Sequence, residues 1–184
     1  MSGHSKWAKL KHVKGASDAK KSKLFSLHAR LITMASKQAK GDKNSAVVRA
    51  AVERAKKDNM PSENIDRAIL KGAGGDSGND QEVVYEAFGP GGIAIIVEGV
   101  TDNSNRTTSQ IKHILTSHGG SLGGQGSATW AFTKTHEGWK ANSPMDIEEK
   151  DAEKLDNLLE DLENNEDIKN IYTTLPEDEE QGER

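Results

Sequence analysis

Apolar residues in the first third of the chain recur at the spacing of a helix. Leu24, Leu27 and Leu31 follow one another at intervals of three and four residues, which places them on one helical face. Ser17 is a residue type that favours a helix N-cap, and Gly41 is one that favours a helix end. The pattern therefore predicts a first helix that starts at about Ser17 and ends before Gly41.

Two shorter amphipathic segments follow this helix. The first runs from about Asn44 to Lys57 and has a narrow apolar face of valines and alanines. The second begins at Pro61, which suits the first turn of a helix, and stops at Gly72. Three short helices with brief connections predict a small antiparallel bundle over residues 1–72.

The second half of the chain mixes strand and helix patterns after a glycine-rich linker at 73–81. The first predicted elements are a strand over 82–88, a turn over 89–92, a buried strand over 93–97 and a helix capped by Asn105. Gly119 ends this helix, and a glycine-rich loop over 119–126 leads to a strand over 127–133. A short strand at Met145 and Ile147, an acidic helix over 148–163 and a closing strand over 168–175 follow. Residues 176–184 are expected to form a disordered acidic tail. The whole pattern predicts an α+β fold, in which an N-terminal three-helix bundle is followed by a small α/β sheet domain over 82–175 that the C-terminal helix and strand complete.

Charge is divided unevenly between the two halves of the chain. Residues 1–72 contain 13 lysines and four arginines against six acids, a net charge of +11, and the whole chain carries −4, so residues 73–184 carry −15. The first 23 residues are the most basic part, with seven lysines and two histidines against a single acid, Asp18. Such a segment favours a polyanionic partner, either a nucleic acid or a membrane surface, and Trp7 offers a flat face to a base. For the cations inside the helices, a solvated surface is the simpler interpretation.

Several protein classes are disfavoured by what the sequence lacks. There is no cysteine, so disulfides, thiol catalysis and cysteine–zinc sites are impossible. The polar start is unlike a secretory signal, and no apolar run is long enough to span a membrane, which predicts a cytoplasmic protein. No nucleotide-binding glycine motif, metal-ligand spacing or catalytic constellation is evident, so we expect no cofactor, no metal and no enzymatic activity.

Three loops carry polar or glycine-rich motifs. Residues 119–123 match G-x-S-x-G, but a nucleophile elbow needs a strand before the serine and a helix after it, and the predicted order here is the reverse. Residues 101–108 place amides, hydroxyls and Arg106 at a helix N-terminus, which suits either an anion or simple capping. Residues 89–92 allow close approach of another molecule to the backbone, although a tight hairpin is the simpler interpretation.

Four ordered blocks of sequence carry a resemblance to a known family. They are SGHSKWAKLKHVKG followed by DAKKSKLF (2–25), NMPSENIDRAILKGAG (59–74), YEAFGPGGIAIIVEGVTDNSNRT (85–107) and HGGSLGGQGSATWAF (118–132). On these blocks the chain resembles the YebC/PmpR family, and its closing stretch over 145–173 is similar to that family's C-terminal helix and strand. The family carries a further α/β domain where this chain has only about 133–143, so the resemblance implies a short form that lacks the third domain.

The resemblance implies a cytoplasmic regulator of gene expression without an enzymatic reaction. Bacterial members are described as DNA-binding transcriptional regulators and are also linked to ribosomes stalled on proline-rich sequence, while mitochondrial relatives include a translational activator of cytochrome c oxidase. DNA and RNA or the ribosome are therefore alternative partners. A protein-interaction adaptor that uses the acidic helix over 148–163 is a third hypothesis.

The resemblance also implies that the basic first domain makes the nucleic-acid contact. Carried over to this chain, the candidate residues are His4, Lys6, Trp7, Lys9, Lys11, His12, Lys14, Lys20, Lys21 and Lys23, with Asn103, Asn105 and Arg106 as second-tier candidates. Lysine contacts position a protein on phosphates and carry little sequence information, so base-specific recognition is not predicted.

Overall fold

A computed structural model of the chain describes residues 18–75 and 78–177. The predicted start of the first helix at Ser17 and most of the predicted acidic tail lie outside the described residues. The chain divides into two compact units. A helical unit contains the described residues from 18 to 83 together with 100–104, and a sheet unit contains 84–99 together with the described residues from 105 onward.

The helical unit is the predicted three-helix bundle. Its helices are α1 (Asp18–Gln38), α2 (Ala46–Lys57) and α3 (Ser62–Ala73). Their apolar faces meet in a core formed by Ile32, Val48, Ala55, Met60, Ile65, Ala68 and Ile69. Each short connection reverses the chain through a residue with positive φ, Lys40 after α1 and Asn59 after α2. The following N–H groups donate back to the carbonyls of Ser36 and Ala55, which satisfies the last turns of both helices.

Gly72 sets the distance between α1 and α3. A Cβ atom at this position would collide with the carbonyl oxygen of Thr33 and would lie 2.6 Å from the Cβ of Ser36. The backbones are close enough for the Ser36 hydroxyl to donate to the Ile69 carbonyl at 2.7 Å, and for the Thr33 hydroxyl to donate to the Ala68 carbonyl at 3.2 Å. Gly72 is therefore buried inside a helix because only a residue without a side chain fits there.

The sheet unit is built around a four-stranded sheet. The strands are β1 (Gln81–Phe88), β2 (Ala94–Thr101), β3 (Ser121–Leu122) and β6 (Ile168–Thr173), in the order β3-β1-β2-β6. Strands β3 and β6 run antiparallel to their neighbours β1 and β2. The helices α4 (Ser104–Ser117) and α5 (Glu149–Asn164) supply the residues that pack on one face of this sheet. These elements confirm the predicted α+β fold, including its completion by the C-terminal helix and strand.

The central strand β2 is buried on both faces, as its continuous apolar run predicts. Ile95 and Val97 belong to the core on the helical side, together with Leu115 and Leu158. Ala94 and Ile96 belong to a second core on the opposite side, together with Phe132. That second core is covered by a hairpin of two further strands, β4 (Phe132–Thr135) and β5 (Gly138–Ala141).

Three local predictions are wrong. The strand predicted over 127–133 is a 3₁₀ turn at Thr129–Ala131, and strand β4 begins only at Phe132 and pairs with β5 instead of the main sheet. No strand forms at Met145 and Ile147, where one backbone bond, from Met145 N–H to the Thr174 carbonyl, takes the place of a ladder. Asn105 lies inside the first turn of α4, two residues too late to cap it. Gly119, in contrast, has the positive φ predicted for a helix end.

The first of these errors has a side-chain cause. Both carboxylate oxygens of Glu86 accept backbone N–H bonds, at 2.7 Å from Gly126, 2.7 Å from Ala128 and 2.8 Å from Thr129. Because a carboxylate takes these donors, they are not available to a neighbouring strand. The segment therefore curls around the Glu86 side chain instead of extending.

Candidate nucleic-acid interface

Six of the predicted contact residues fall within the described part of the chain. The other seven, His4, Lys6, Trp7, Lys9, Lys11, His12 and Lys14, lie outside the described residues and stay predictions. Lys20 and Lys21 are exposed in the first turn of α1, and Lys23 is half-buried two residues further along the same helix. Asp18 begins this helix, and its negative charge interacts favourably with the positive end of the helix dipole.

The loop residues of the second tier have structural partners. Arg106 Nη2 donates to Asp167 Oδ2 at 3.0 Å, and the Thr107 hydroxyl donates to the same oxygen at 2.7 Å. The side chain of Asp167 is only 9% exposed, so its charge needs these donors. The Asn103 N–H donates to Thr101 Oγ1 at 2.9 Å, a local turn before α4. These contacts favour the capping interpretation of the loop, although Arg106 keeps 45% of its side chain exposed.

Positive charge is not confined to the basic first 23 residues but continues through the three-helix bundle. Residues 18–75 contain nine lysines and four arginines against four aspartates and two glutamates, a net charge of +7. Residues 78–177 contain seven basic and 18 acidic residues, a net charge of −11. The charge separation seen in the sequence thus persists within the described residues alone.

Helix α2 has the densest group of unpaired cations in the helical unit. Arg49, Arg54, Lys56 and Lys57 are all exposed, and none of them is within ion-pair distance of an acidic side chain among the described residues. Other arginines of this unit are neutralised. Arg30 makes two bonds to Asp80, at 2.9 and 2.6 Å, and Arg67 bonds to Glu63 at 3.1 Å.

The α2 cations are the residues that the sequence-based site prediction missed. Their positions off the apolar face of the helix were visible in the sequence, but an exposed lysine or arginine on a helix is usually just solvated. The available signal was that four cations occur among the last nine residues of α2 with only Glu53 to balance them. The structure adds that none of them is paired with an acidic side chain of residues 18–75 or 78–177.

Hydrogen bonds from neighbouring side chains satisfy the partly buried carboxylate of Glu98 in the sheet unit. Glu98 accepts bonds from Lys134 Nζ at 2.9 Å, Trp139 Nε1 at 2.9 Å and Asn170 Nδ2 at 3.2 Å. Burial raises the pKa of Glu98, but these donors outweigh burial and hold the pKa below its ordinary value. The carboxylate is thus fully engaged in fixing the β4–β5 hairpin.

Tyr172 provides a direct test of this network. Burial, followed by the negative charge of Glu98 beside it, raises the pKa of Tyr172 to about 12. We expect a spectrophotometric titration of a Tyr85→Phe variant, which leaves Tyr172 as the only tyrosine, to show phenolate formation near this value. Glu98→Gln should move the pKa of Tyr172 down. Because the folded-state pKa is the higher one, this group stabilises the fold below pH ~10 and the stabilisation is lost as pH rises towards 12. A phenol that titrates near pH 10 in the folded protein would contradict the network.

Other chemistry finds little support in the described residues. Within 18–75 and 78–177, no three histidine, aspartate or glutamate side chains are grouped so that they could hold a metal ion. Ser121 of the G-x-S-x-G match lies in β3, which follows helix α4, so the order of elements is the one expected for a glycine-rich connection. No described helix combines the length and the hydrophobicity that crossing a bilayer would require.

Two family models match successive parts of the chain. Residues 5–75 match a family model described as the TACO1/YebC protein N-terminal domain. Residues 80–137 match a model described as the TACO1/YebC second and third domain.

Individual relatives agree with these matches. A "probable transcriptional regulatory protein" of Thermoanaerobacter pseudethanolicus is 54% identical over 136 residues, which cover 73% of this chain and 55% of that protein. A protein with the same description from Dehalococcoides mccartyi is 41% identical over 179 residues, which cover 96% of this chain and 71% of that protein. The chain spans about half the length of the curated relatives that it matches at the highest identities.

A solved structure shares the fold. The crystal structure of a conserved hypothetical protein from Aquifex aeolicus superimposes with a TM-score of 0.79 at 31% sequence identity. The superposition covers 95% of this chain and 99% of that chain.

Proposed function

Because the chain belongs to the TACO1/YebC family, we propose that it is a cytoplasmic, nucleic-acid-binding regulator of gene expression that acts without an enzymatic reaction. The observation that carries the proposal is the net charge of +7 on residues 18–75, which form the three-helix bundle, with four cations of α2 unpaired among the described residues. Unpaired cations on a folded surface release counterions from a phosphate backbone when they bind it. The candidate residues of the N-terminal segment would add to the same surface.

Transcriptional regulation through DNA is the form of this function that we favour. Relatives at 41–54% identity are described as probable transcriptional regulatory proteins, which supports a DNA partner. The alternative is an RNA- or ribosome-associated translation factor that relieves stalling on proline-rich sequence, since lysine contacts to phosphate serve either partner. Gel shift on promoter DNA with non-specific competitor, set against co-sedimentation with ribosomes at moderate salt, separates the two. Ribosome pelleting without a sequence-selective shift would overturn the transcriptional form.

The salt dependence of binding tests the role of the N-terminal lysines. If the protein engages about five phosphates of duplex DNA, log K falls with log salt with a slope of about −4 to −5. Replacing Lys6, Lys9, Lys11 and Lys14 by alanine should flatten this slope by roughly 3 to 4 units. A control that removes two lysines from the acidic helix α5, Lys150→Ala with Lys154→Ala, should leave the slope unchanged. An unaltered slope in the fourfold variant would remove these lysines from the interface.

Trp7 is tested separately, because a stacked base adds affinity without adding to the salt slope. We expect Trp7→Ala to weaken binding by ~1 to 3 kcal/mol at constant salt. The outcome that would exclude stacking is an unchanged affinity for single-stranded and duplex probes alike.

The domain composition is also a proposal. We infer that the chain is a short form in which the family's third domain is absent between β4 and α5. The match to the second family model ends at residue 137, and the D. mccartyi alignment covers nearly all of this chain but only 71% of that protein. The first fact supports a departure from the family pattern after residue 137, in the β4–β5 hairpin, and the second shows that 29% of that relative lies outside the alignment.

A further inference from the structure

We propose that α2 lies in the major groove of duplex DNA, with its exposed face as the principal DNA contact of the folded helical unit. The inference rests on the proposed function, because it assumes that the partner is a nucleic acid. It adds that the contact is made by α2, in the major groove, and with duplex DNA and not duplex RNA.

The first half of α2 presents small residues away from the bundle. Val48 and Ala55 are buried and Ala51 and Val52 are half-buried, and at about 100° per residue these four lie on one side of α2. The opposite side is centred on exposed Ala46 and Ala50 in the first half of the helix, with Glu53 and Lys57 in the second half. A helix with alanine on its outer face is narrow there.

Cations flank this narrow face on both sides. At the same angular spacing, Arg49 and Lys56 lie on one flank of the outer face and Arg54 lies on the other. Arg49 could pair with Glu53 one turn away, yet no such ion pair is present. Cations on two flanks can reach phosphates on the two walls of a groove, whereas a one-sided patch would reach only one strand.

The dimensions of B-form DNA match this arrangement. Its major groove is about 12 Å wide and admits an α-helix, whose diameter with side chains is about 10–12 Å. The major groove of A-form RNA is deep and too narrow for side chains to read, so a helix cannot enter it. The two-flank geometry therefore selects duplex DNA over duplex RNA as the occupant.

The neighbouring helix α3 lacks these features. Its exposed surface carries two acids, Glu63 and Asp66, and two bases, Arg67 and Lys71, and Arg67 is already bonded to Glu63 at 3.1 Å. Leu70 is 65% exposed in the middle of this surface. A mixed surface of this kind has no net attraction for a phosphate backbone, so α3 serves as the internal control for α2.

Glu53 adds a sequence preference to the proposal. A carboxylate on a phosphate-facing surface repels the backbone, but at the floor of the major groove it can accept a bond from the N4 amino group of cytosine. Glu53→Ala should therefore raise affinity for duplexes without a preferred site and reduce the discrimination between sites.

The decisive experiment compares two double variants of the full-length protein. Fluorescence anisotropy with a short labelled DNA duplex of mixed sequence, measured over a range of salt, gives both the affinity and the salt slope. Arg49→Ala with Arg54→Ala should flatten the slope by about two units and weaken binding at least tenfold at moderate salt. Arg67→Ala with Lys71→Ala removes the same charge from exposed positions of α3 and should change the slope by less than half as much.

An uncharged substitution tests whether the width of α2, and not only its charge, determines DNA affinity. Ala50→Leu leaves every cation in place and keeps a good helix former, but its side chain fills the narrow face. It should weaken binding to duplex DNA about fivefold with no change in salt slope. Far-UV circular dichroism of each variant checks that the helices are intact.

The outcomes separate this inference from the proposed function. Failure of the unmodified protein to bind any DNA, RNA or ribosome would remove the proposed function itself. Normal DNA binding with equal losses in the α2 and α3 variants would leave the function standing and overturn the assignment to α2. Equal affinity for a duplex RNA of the same sequence, lost in the same α2 variant, would overturn the major-groove assignment.

Discussion

Glu86→Ala should destabilise the sheet unit by about 4 kcal/mol, because the substitution leaves three backbone donors without an acceptor. Glu86 is 8% exposed, and its two oxygens accept the N–H groups of Gly126, Ala128 and Thr129. Each orphaned buried donor costs about 1–3 kcal/mol, and the loss is greatest at the buried Ala128 and smaller at half-buried Thr129 and exposed Gly126, which water can reach. Chemical denaturation followed by the fluorescence of Trp130 and Trp139 measures the free energy of unfolding of this unit.

The control for this prediction lies on the same strand. Glu82 is exposed in β1, so Glu82→Ala removes an equal charge and should change the free energy of unfolding by less than about 0.5 kcal/mol. Glu86→Gln, which keeps one acceptor oxygen, should fall between the two. A loss in Glu86→Ala no larger than that in Glu82→Ala would mean that the segment finds other acceptors.

The same carboxylate gives a dependence of stability on pH. Burial raises the pKa of Glu86, but the three backbone bonds outweigh burial and hold the pKa below its ordinary value of 4.5. The sign follows from the depressed pKa of the folded state. The stabilisation is present above pH 4.5 and is lost as pH falls through the folded-state pKa, so the acid limb of the stability profile should be shallower in Glu86→Ala.

Gly72→Ala should destabilise the helical unit by about 3 kcal/mol, although alanine is the better helix former. The added methyl group meets the Thr33 carbonyl, the Ser36 Cβ at 2.6 Å and the Lys37 nitrogen at 3.0 Å. Two of these three atoms are backbone, so relief requires α1 and α3 to separate. Separation in turn weakens the bonds from the two α1 hydroxyls to α3 carbonyls. Thermal unfolding followed by far-UV circular dichroism measures the effect.

A second glycine only two residues away isolates the cause. A Cβ at Gly74 would approach nothing closer than the Leu70 carbonyl at 3.5 Å, and its φ of −75° is open to any residue. Gly74→Ala should therefore leave the stability unchanged or raise it by up to about 1 kcal/mol. Equal effects of the two substitutions would show that backbone entropy, and not contact between the helices, determines the result.

The sequence predicted those parts of the fold that depend on local patterns. The three helices of the bundle, the doubly buried strand β2 and the left-handed residue at Gly119 all follow from apolar spacing or from a glycine after a helix. The segment after residue 126 was mispredicted because its conformation depends on Glu86, about 40 residues earlier in the chain. No pattern within the segment records that its N–H groups bond to a distant carboxylate.

The candidate interface was likewise only partly predictable from the sequence. Composition alone predicts a polyanion partner at the basic end, and this stays a prediction. It was not enough to single out α2, because Arg30 and Arg54 look alike in the sequence. Only the structure distinguishes them, since Arg30 is neutralised by Asp80 and Arg54 is not paired with any described acid.

The β4–β5 hairpin also has an evolutionary consequence. Thr135 pairs with Gly138 at its tip, so the two strands meet there with their Cα atoms about 5 Å apart. A foreign module whose own ends are adjacent could be spliced in or excised between these residues, and the strands on either side would keep their register. Such an exchange at the tip would leave the pairing of Phe132 with Ala141 beneath it unchanged.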